Sequence, residues 1–206
     1  MTSLLERGKR PYSNLRLPDG AQIAVIGGGP AGSFFGIHVL KAARQAGRRL
    51  AVTIFEPRAF SAQGPAGCNK SAGILSPPLL ANLADSGLSL PPAVQMGRIG
   101  CFVVHLCGEV AAVPAPGAGL LPITVYRGGG PQRAVMDANV SFDGWLLGEA
   151  AAQGATVVQQ RVVETSFAGA RPQVHTPTST HTFDLVVLAT GVNGHPPSLF
   201  GVAYQP

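Results

Sequence analysis

Charge is scarce in this chain. Lysine, arginine, aspartate and glutamate make up only 12% of 206 residues, and only ten residues are acidic. With a hydrophobic content of 46%, such a composition excludes a highly charged disordered chain and supports a packed core. Cysteine is nearly missing. Cys68, Cys101 and Cys107 contain no C-x-x-C pair, which argues against a zinc site and against a complete disulfide framework. Aromatics are few, at 6%, and no stretch interleaves them with basic residues, so nucleic acid is not an expected partner. No apolar run is long enough to cross a bilayer, and the opening MTSLLERGKRPYSNLRLPDG has no apolar signal core. The expectation is a cytoplasmic protein without a transmembrane segment. No Ser/His/Asp or paired-carboxylate pattern is visible, so no catalytic side chain is named.

Glycine and proline are plentiful, at 27 and 18 residues. They punctuate apolar segments instead of forming tracts, and so read as turns. The net charge is +5, and Arg7, Lys9, Arg10 and Arg16 crowd the start of the chain against Glu6 and Asp19. A basic surface suits an anionic ligand such as a pyrophosphate. A solvated basic tail accounts for the same four residues equally well.

The length suits one domain, or one and part of another. AQIAVI (21–26) reads as a buried parallel strand. Residues 30–46 read as a helix that starts at Pro30 and stops at Gly47, with Lys41 and Arg44 complementing its dipole. RLAVTIFE (49–56) reads as a second buried strand, which completes a βαβ unit. Residues 57–78 read as loop, and PPLLANLAD as a short helix. Residues 99–113 and 121–127 read as antiparallel strands. Residues 141–155 read as a helix capped by Ser141 and ended by Gly154. One or two strands, a hairpin over RPQVHTPTSTHTF, and a buried parallel strand over DLVVLATG (184–191) follow. There are no internal repeats.

Gly27, Gly29 and Gly32 form G-x-G-x-x-G between the first strand and the first helix. The first glycine permits the tight turn, the second lets backbone approach a pyrophosphate, and the third lets helix and strand pack closely. The pyrophosphate then rests on the helix N-terminus. Glu56 ends the second strand, where a carboxylate accepts hydrogen bonds from the ribose hydroxyls. Its charge repels a 2′-phosphate and so disfavours NADP in this pocket. The turn alone does not decide between NAD and FAD.

FDLVVLATGVNG resembles the Asp-strand-Ala-Thr-Gly segment of two-dinucleotide-binding flavoproteins, and VIGGGPAGS has their Gly-Gly-Gly-Pro-Ala-Gly form. NKSAGILSPPLLANL resembles the Cys-Gly-Gly loop of geranylgeranyl reductase-like flavoproteins, relatives of the p-hydroxybenzoate hydroxylase fold. VYRGGGP and SFDGWLLGEAAAQGA resemble their arginine and Phe-Asp-x-x-Leu helix. The resemblance runs from about residue 21 onward and corresponds to the N-terminal half of such an enzyme. It implies an α/β fold, a Rossmann-like FAD-binding domain with an inserted β-rich partial substrate domain. The segments would be a tail (1–20), a first FAD-binding part (21–95), the β-rich part (96–135) and a truncated second FAD-binding part (136–206).

The resemblance also implies FAD as cofactor and NAD(P)H as co-substrate. Gly27, Gly28, Gly29, Pro30, Ala31 and Gly32 would hold the pyrophosphate, and Glu56 the adenosine ribose. Arg58 would reach the adenine side, Val162 would lay backbone against adenine, and Ala189, Thr190 and Gly191 would lie beside the nucleotide. The reaction would be reduction or monooxygenase-like hydroxylation of an unidentified small organic substrate. There are departures. Ser71 stands where the reductase loop has cysteine, with Cys68 three residues earlier, which puts a geranylgeranyl substrate in doubt. The later Gly-Asp motif that closes the flavin site is not found. The chain alone is therefore expected to be inactive and to need a missing C-terminal half or a partner chain. Two alternatives stay open: an NAD-binding dehydrogenase module without flavin, and a non-catalytic truncated or split-gene half.

Other residues carry two readings each. Lys70 faces a flavin or an anionic substrate, or is solvated. Cys68 sits by the flavin or is a small buried hydrophobe. Arg127 steers a phosphate or supports the FAD, or ends a strand in solvent. Asp143 bonds the helix start, Trp145 is core, and Cys101 and Cys107 are core or pleat positions. His38, His105, His175, His181 and His195 show no ligand spacing.

Overall fold

The computed structural model describes residues 16–60, 73–115, 121–127 and 141–191. The expectations for Glu6, Arg7, Lys9, Arg10, Cys68, Lys70, Ser71 and His195 lie outside the described residues.

The centre is a parallel sheet. Strand β1 (Ala21–Ile26) pairs with β2 (Leu50–Phe55) on one side and with β12 (Leu185–Leu188) on the other, and β8 (Thr156–Val158) extends the sheet beyond β2. Helix α1 (Pro30–Gln45) crosses from β1 to β2, as the βαβ reading requires. Helix α3 (Phe142–Ala152) packs beside it, with the Ser141 hydroxyl accepting from the Gly144 N–H at 3.4 Å.

Side chains alternate across a strand, so β1 serves two cores. Ile23 and Val25 join Val52, Ile54, Ile37, Leu40, Leu146 and Ala150 on the helical face. Ala24 and Ile26 join Phe55, Val162, Val174 and Phe183 on the other face. That second face is covered by the antiparallel sheet of β9 (Glu164–Ala168), β10 (Arg171–His175) and β11 (Thr180–Thr182). Burial on both faces is why β1 and β2 are mostly apolar, with Gln22 and Thr53 their only polar residues.

A second small sheet has the order β3 (Ile74–Leu75), β7 (Ile123–Val125), β4 (Gln95–Arg98). With helix α2 (Pro77–Asp85) it adds Leu75, Leu80, Leu83, Val94, Ile123 and Val125 to the helical-face core. Strand β7 thus pairs antiparallel with β3 and β4, continued by the Ile99 N–H donating to the Pro122 carbonyl at 2.9 Å, and not with the strands within 101–114. Those residues form a separate hairpin of β5 (Cys101–Leu106) and β6 (Glu109–Pro114). Its tip is Cys107 at φ 50° and Gly108 at φ 87°, a pair of left-handed residues that suits a two-residue hairpin turn. Cys107 is thus an exposed turn residue and Cys101 an exposed pleat residue, and neither is core. Among the described residues no helix is long and apolar enough to cross a membrane.

Helix α1 approaches β1 so closely at Gly32 that a Cβ there would overlap the Gly27 carbonyl oxygen and stand 3.0 Å from Val25 Cγ1. The overlap is with backbone, which cannot swing aside. Gly32→Ala is expected to lower stability by about 1–3 kcal/mol in urea denaturation, the range for overpacking a well-packed core. Unchanged stability would contradict this packing.

Candidate functional site

The C-terminal ends of the parallel strands converge on the glycine turn. Gly27, at φ 108°, donates its N–H to the Phe55 carbonyl at 2.9 Å. A Cβ on it would overlap the Ala189 carbonyl and lie 3.2 Å from Thr190 Cα. The turn is therefore wedged against the segment after β12, where the Ala189 N–H donates to the Ile26 carbonyl at 2.8 Å. Two stretches more than 150 residues apart, both singled out in sequence, meet here. Gly191 follows at φ 74°.

Gly28 is equally confined. A Cβ on it would come within 2.7 Å of Glu56 Cβ and 3.2 Å of Leu147 Cδ1. Its N–H donates to Glu56 Oε2 at 2.9 Å, and its carbonyl accepts from Ser33 Oγ at 2.9 Å. Helix α1 begins with Gly29 as N-cap and Pro30 in its first turn. No side chain caps it and no acidic residue occupies the first turn, so its dipole end stays available to an anion.

Gly29 differs from its neighbours. Its backbone is ordinary, at φ −67° and ψ −175°. A Cβ there would meet nothing nearer than Arg58 Nη2, at 3.7 Å. This chain's own packing accounts for glycine at positions 27, 28 and 32, but not at 29.

Glu56 is 3% exposed and fully bonded. Oε2 accepts from the Gly28 N–H at 2.9 Å and from Arg58 Nη2 at 3.0 Å. Oε1 accepts from the Arg58 N–H at 3.0 Å and from Arg58 Nε at 2.9 Å. Burial pushes this carboxyl up, but the Arg58 side-chain and backbone bonds and the Gly28 N–H outweigh it, and the group is held below its ordinary value. Arg58 is held above its own by the Glu56 bond, against burial, with the negative charges of Glu56 and Asp143 adding to the effect. The guanidinium carbon lies 4.8 Å from the centre of the Phe60 ring. Beside Glu56 and Arg58 a surface cleft of about 560 Å³ runs along Phe60, Trp145, Gly148 and Gln159.

The structure thus brings together Gly27 to Gly32, Glu56, Arg58, Ala189 and Thr190. The Val162 side chain is buried with Phe55 and Ile26 on the face of the sheet away from α1. Arg127 is not a solvated strand end. Its Nε and Nη2 pair with the Asp143 oxygens at 2.9 and 3.2 Å, and Asp143 is 1% exposed. Nothing in a separation of sixteen residues announces this pair. A Ser–His contact was missed as well. Ser166 Oγ is 2.7 Å from His175 Nε2, and His175 Nδ1 is 2.9 Å from Thr180 Oγ1. With Gln173 and Thr182 these make a polar cross-strand ladder on the outer face of β9, β10 and β11. Among the described residues no group of three or more His, Cys, Asp or Glu side chains is arranged to hold a metal ion.

No protein-family model and no curated protein sequence matches this chain. Solved structures do. The chain is similar to p-nitrophenol 4-monooxygenase PnpA from Pseudomonas putida DLL-E4, with a TM-score of 0.58 and 17% identity, over 93% of this chain and 45% of that one. It is similar to the flavin-dependent brominase Bmp2, with a TM-score of 0.53 and 18% identity, over 84% of this chain and 39% of that one. It is also similar to halogenase PltM, with a TM-score of 0.52 and 18% identity, over 82% and 34% of the two chains. At these identities the likeness shows a shared fold: a mixed α/β fold around a parallel sheet. The chain spans less than half the length of each of these proteins.

Because its folded-state pKa is lowered, Glu56 contributes stability above the unfolded-state value of about 4.3, and that stability is lost as pH falls through the lowered value. Glu56→Gln is expected to cost about 1–3 kcal/mol at pH 7, because hydrogen bonds to a charged group are lost. It should also flatten the acid limb of a stability profile measured by urea denaturation. An acid limb unchanged by the substitution would contradict the assignment.

Proposed function

We propose that this chain is the FAD-binding portion of a flavin-dependent oxidoreductase. The observation that carries the reading is Gly29. It is the one glycine of the motif that the chain does not need for itself, and it sits where G-x-G-x-x-G backbone approaches a pyrophosphate. The residues present fit the group. The turn from Gly27 to Gly32, with Pro30 and Ala31, offers backbone N–H groups and a helix dipole to the pyrophosphate. Glu56 stands at the ribose position and Arg58 beside it. Ala189 and Thr190 press on the turn at Gly27, Gly191 would follow them beside the nucleotide, and the Val162 backbone would lie against the adenine.

FAD is preferred to NAD because the Ala-Thr-Gly segment is wedged against Gly27, and because structures of similar fold include a flavin-dependent brominase. When bound, the isoalloxazine supplies the redox chemistry, with NAD(P)H as the proposed reductant. The protein's part is to bind, orient and exclude water. The substrate would be a small organic compound that is reduced or hydroxylated, and a geranylgeranyl reductase-like or monooxygenase-like enzyme is the proposed whole. The Rossmann-like domain with an inserted β-rich segment, and a cytoplasmic location, belong to the same proposal.

One observation favours completion of this unit by further polypeptide. The β5–β6 hairpin is apolar on both faces. Phe102, Val104, Leu106 and Val113 lie on one face and Val103 and Val110 on the other, and all are exposed. Such strands suit a larger sheet that is packed on both sides. A covering chain or further section of the same protein is the proposed partner.

Serine is a good N-cap, so Gly29→Ser adds a Cβ without weakening the helix start. Its urea stability is expected to stay within about 0.5 kcal/mol of wild type, the usual size for a tolerated surface change. Its FAD affinity in a flavin-fluorescence titration is expected to fall about tenfold or more, one decade being about 1.4 kcal/mol. Equal affinities would sink the proposal. Expressed alone, the chain should also self-associate through the hairpin, since a large apolar patch seeks cover. Leu106→Lys with Val110→Lys should then move its size-exclusion peak to the monomer position, and an unmoved peak would count against the hairpin as the sticky surface.

A further inference from the structure

We propose that Arg58 is a latch on the nucleotide site, holding the Glu56 carboxylate closed until a ligand anion at the glycine turn draws the guanidinium away. The inference rests on the site reading above and adds a selection rule to it: the site takes a nucleoside only together with its phosphates.

An ionised carboxylate has about four acceptor positions. At Glu56 all four are taken, by the Gly28 N–H, the Arg58 N–H, and Nε and Nη2 of the Arg58 guanidinium. Two of these donors are backbone groups fixed by the turn and by the end of β2. The other two belong to one side chain that is 36% exposed. Only the guanidinium can give way. A ribose diol that reaches Glu56 must therefore displace a bidentate, charge-assisted pair and put two neutral hydroxyls in its place. That exchange is unfavourable by itself.

An anion changes the balance. Arg58 Nη2 lies 3.7 Å from the point a Cβ on Gly29 would occupy, so the guanidinium already overhangs the start of α1. An anion at that helix start is an alternative partner within a small side-chain motion. The guanidinium trades the carboxylate for the anion, and Glu56 is released to the ribose. Phe60, beneath the guanidinium at 4.8 Å, steadies the latched position. Ribose and diphosphate binding are thus positively coupled through one residue. The ligand class is the nucleoside diphosphate moiety, and free nucleosides are rejected.

The test is calorimetric titration of the full chain with adenosine and with ADP. Wild type is expected to bind ADP about a hundredfold more tightly than adenosine, two decades on the affinity scale. Arg58→Ala should bind adenosine about threefold or more tightly than wild type does, and ADP more weakly, so that the two ligands converge. Arg58→Lys, which keeps the charge but cannot bridge both carboxylate oxygens, should also gain adenosine affinity while keeping more of its ADP affinity. An arginine that merely supports the fold would lose adenosine affinity when removed. If ADP binds wild type and Gly29→Ser weakens it, yet neither Arg58 variant gains adenosine affinity, the latch is wrong and the site stands. If wild type binds neither ADP nor FAD, the site reading falls and the latch falls with it.

Discussion

The hydrogen bond from the Gly28 N–H to the buried Glu56 carboxylate is the contact on which the arrangement of the site depends. It ties the turn after β1 to the end of β2 at a distance where no side chain fits on Gly28. It also fixes a negative charge in the core, and Arg58 answers that charge. A buried carboxylate without partners would be expelled or neutralised. Here two backbone N–H groups and a guanidinium keep it ionised, so the same group is both a structural tie and a candidate ligand for ribose.

The rest of the fold serves that contact. The parallel sheet brings four strand ends to one edge, and the glycine turn lies there because α1 must leave β1 and return to β2. Gly27 lets the turn press on Ala189, and Gly32 lets α1 press on β1. The helical face is filled by α1, α2 and α3, and the opposite face by the β9–β11 sheet. Away from this body the β5–β6 hairpin carries an apolar surface that the site does not use.

Much of this was legible in the sequence, for physical reasons. Strands buried on both faces are mostly apolar, so AQIAVI and RLAVTIFE stood out despite Gln22 and Thr53. Pro30, Gly47, Ser141 and Gly154 marked the helix ends by their backbone chemistry. The two glycine-containing segments could be read as one site because each follows a parallel strand. Other features left no local trace. Strands β3 and β4 have two and four residues, too few to show alternation, and β4 is interrupted by a bulge between Gln95 and Gly97. The pairing of β7 with them, and not with the hairpin, is a tertiary choice made by the core around Ile123 and Val125. The Arg127–Asp143 pair joins two elements with no shared spacing. The saturation of Glu56 by Arg58 depends on a side-chain conformation that no residue pattern encodes.

The proposed function requires that the start of α1 take the pyrophosphate of FAD. The direct measurement is an amide chemical-shift map of the protein titrated with FAD. Its largest shifts are expected at the N–H groups of Gly29, Ala31 and Gly32, with a second set at Glu56 and Arg58. Saturating FAD with no shift at the turn, or with shifts confined to the β5–β6 hairpin, would contradict that requirement.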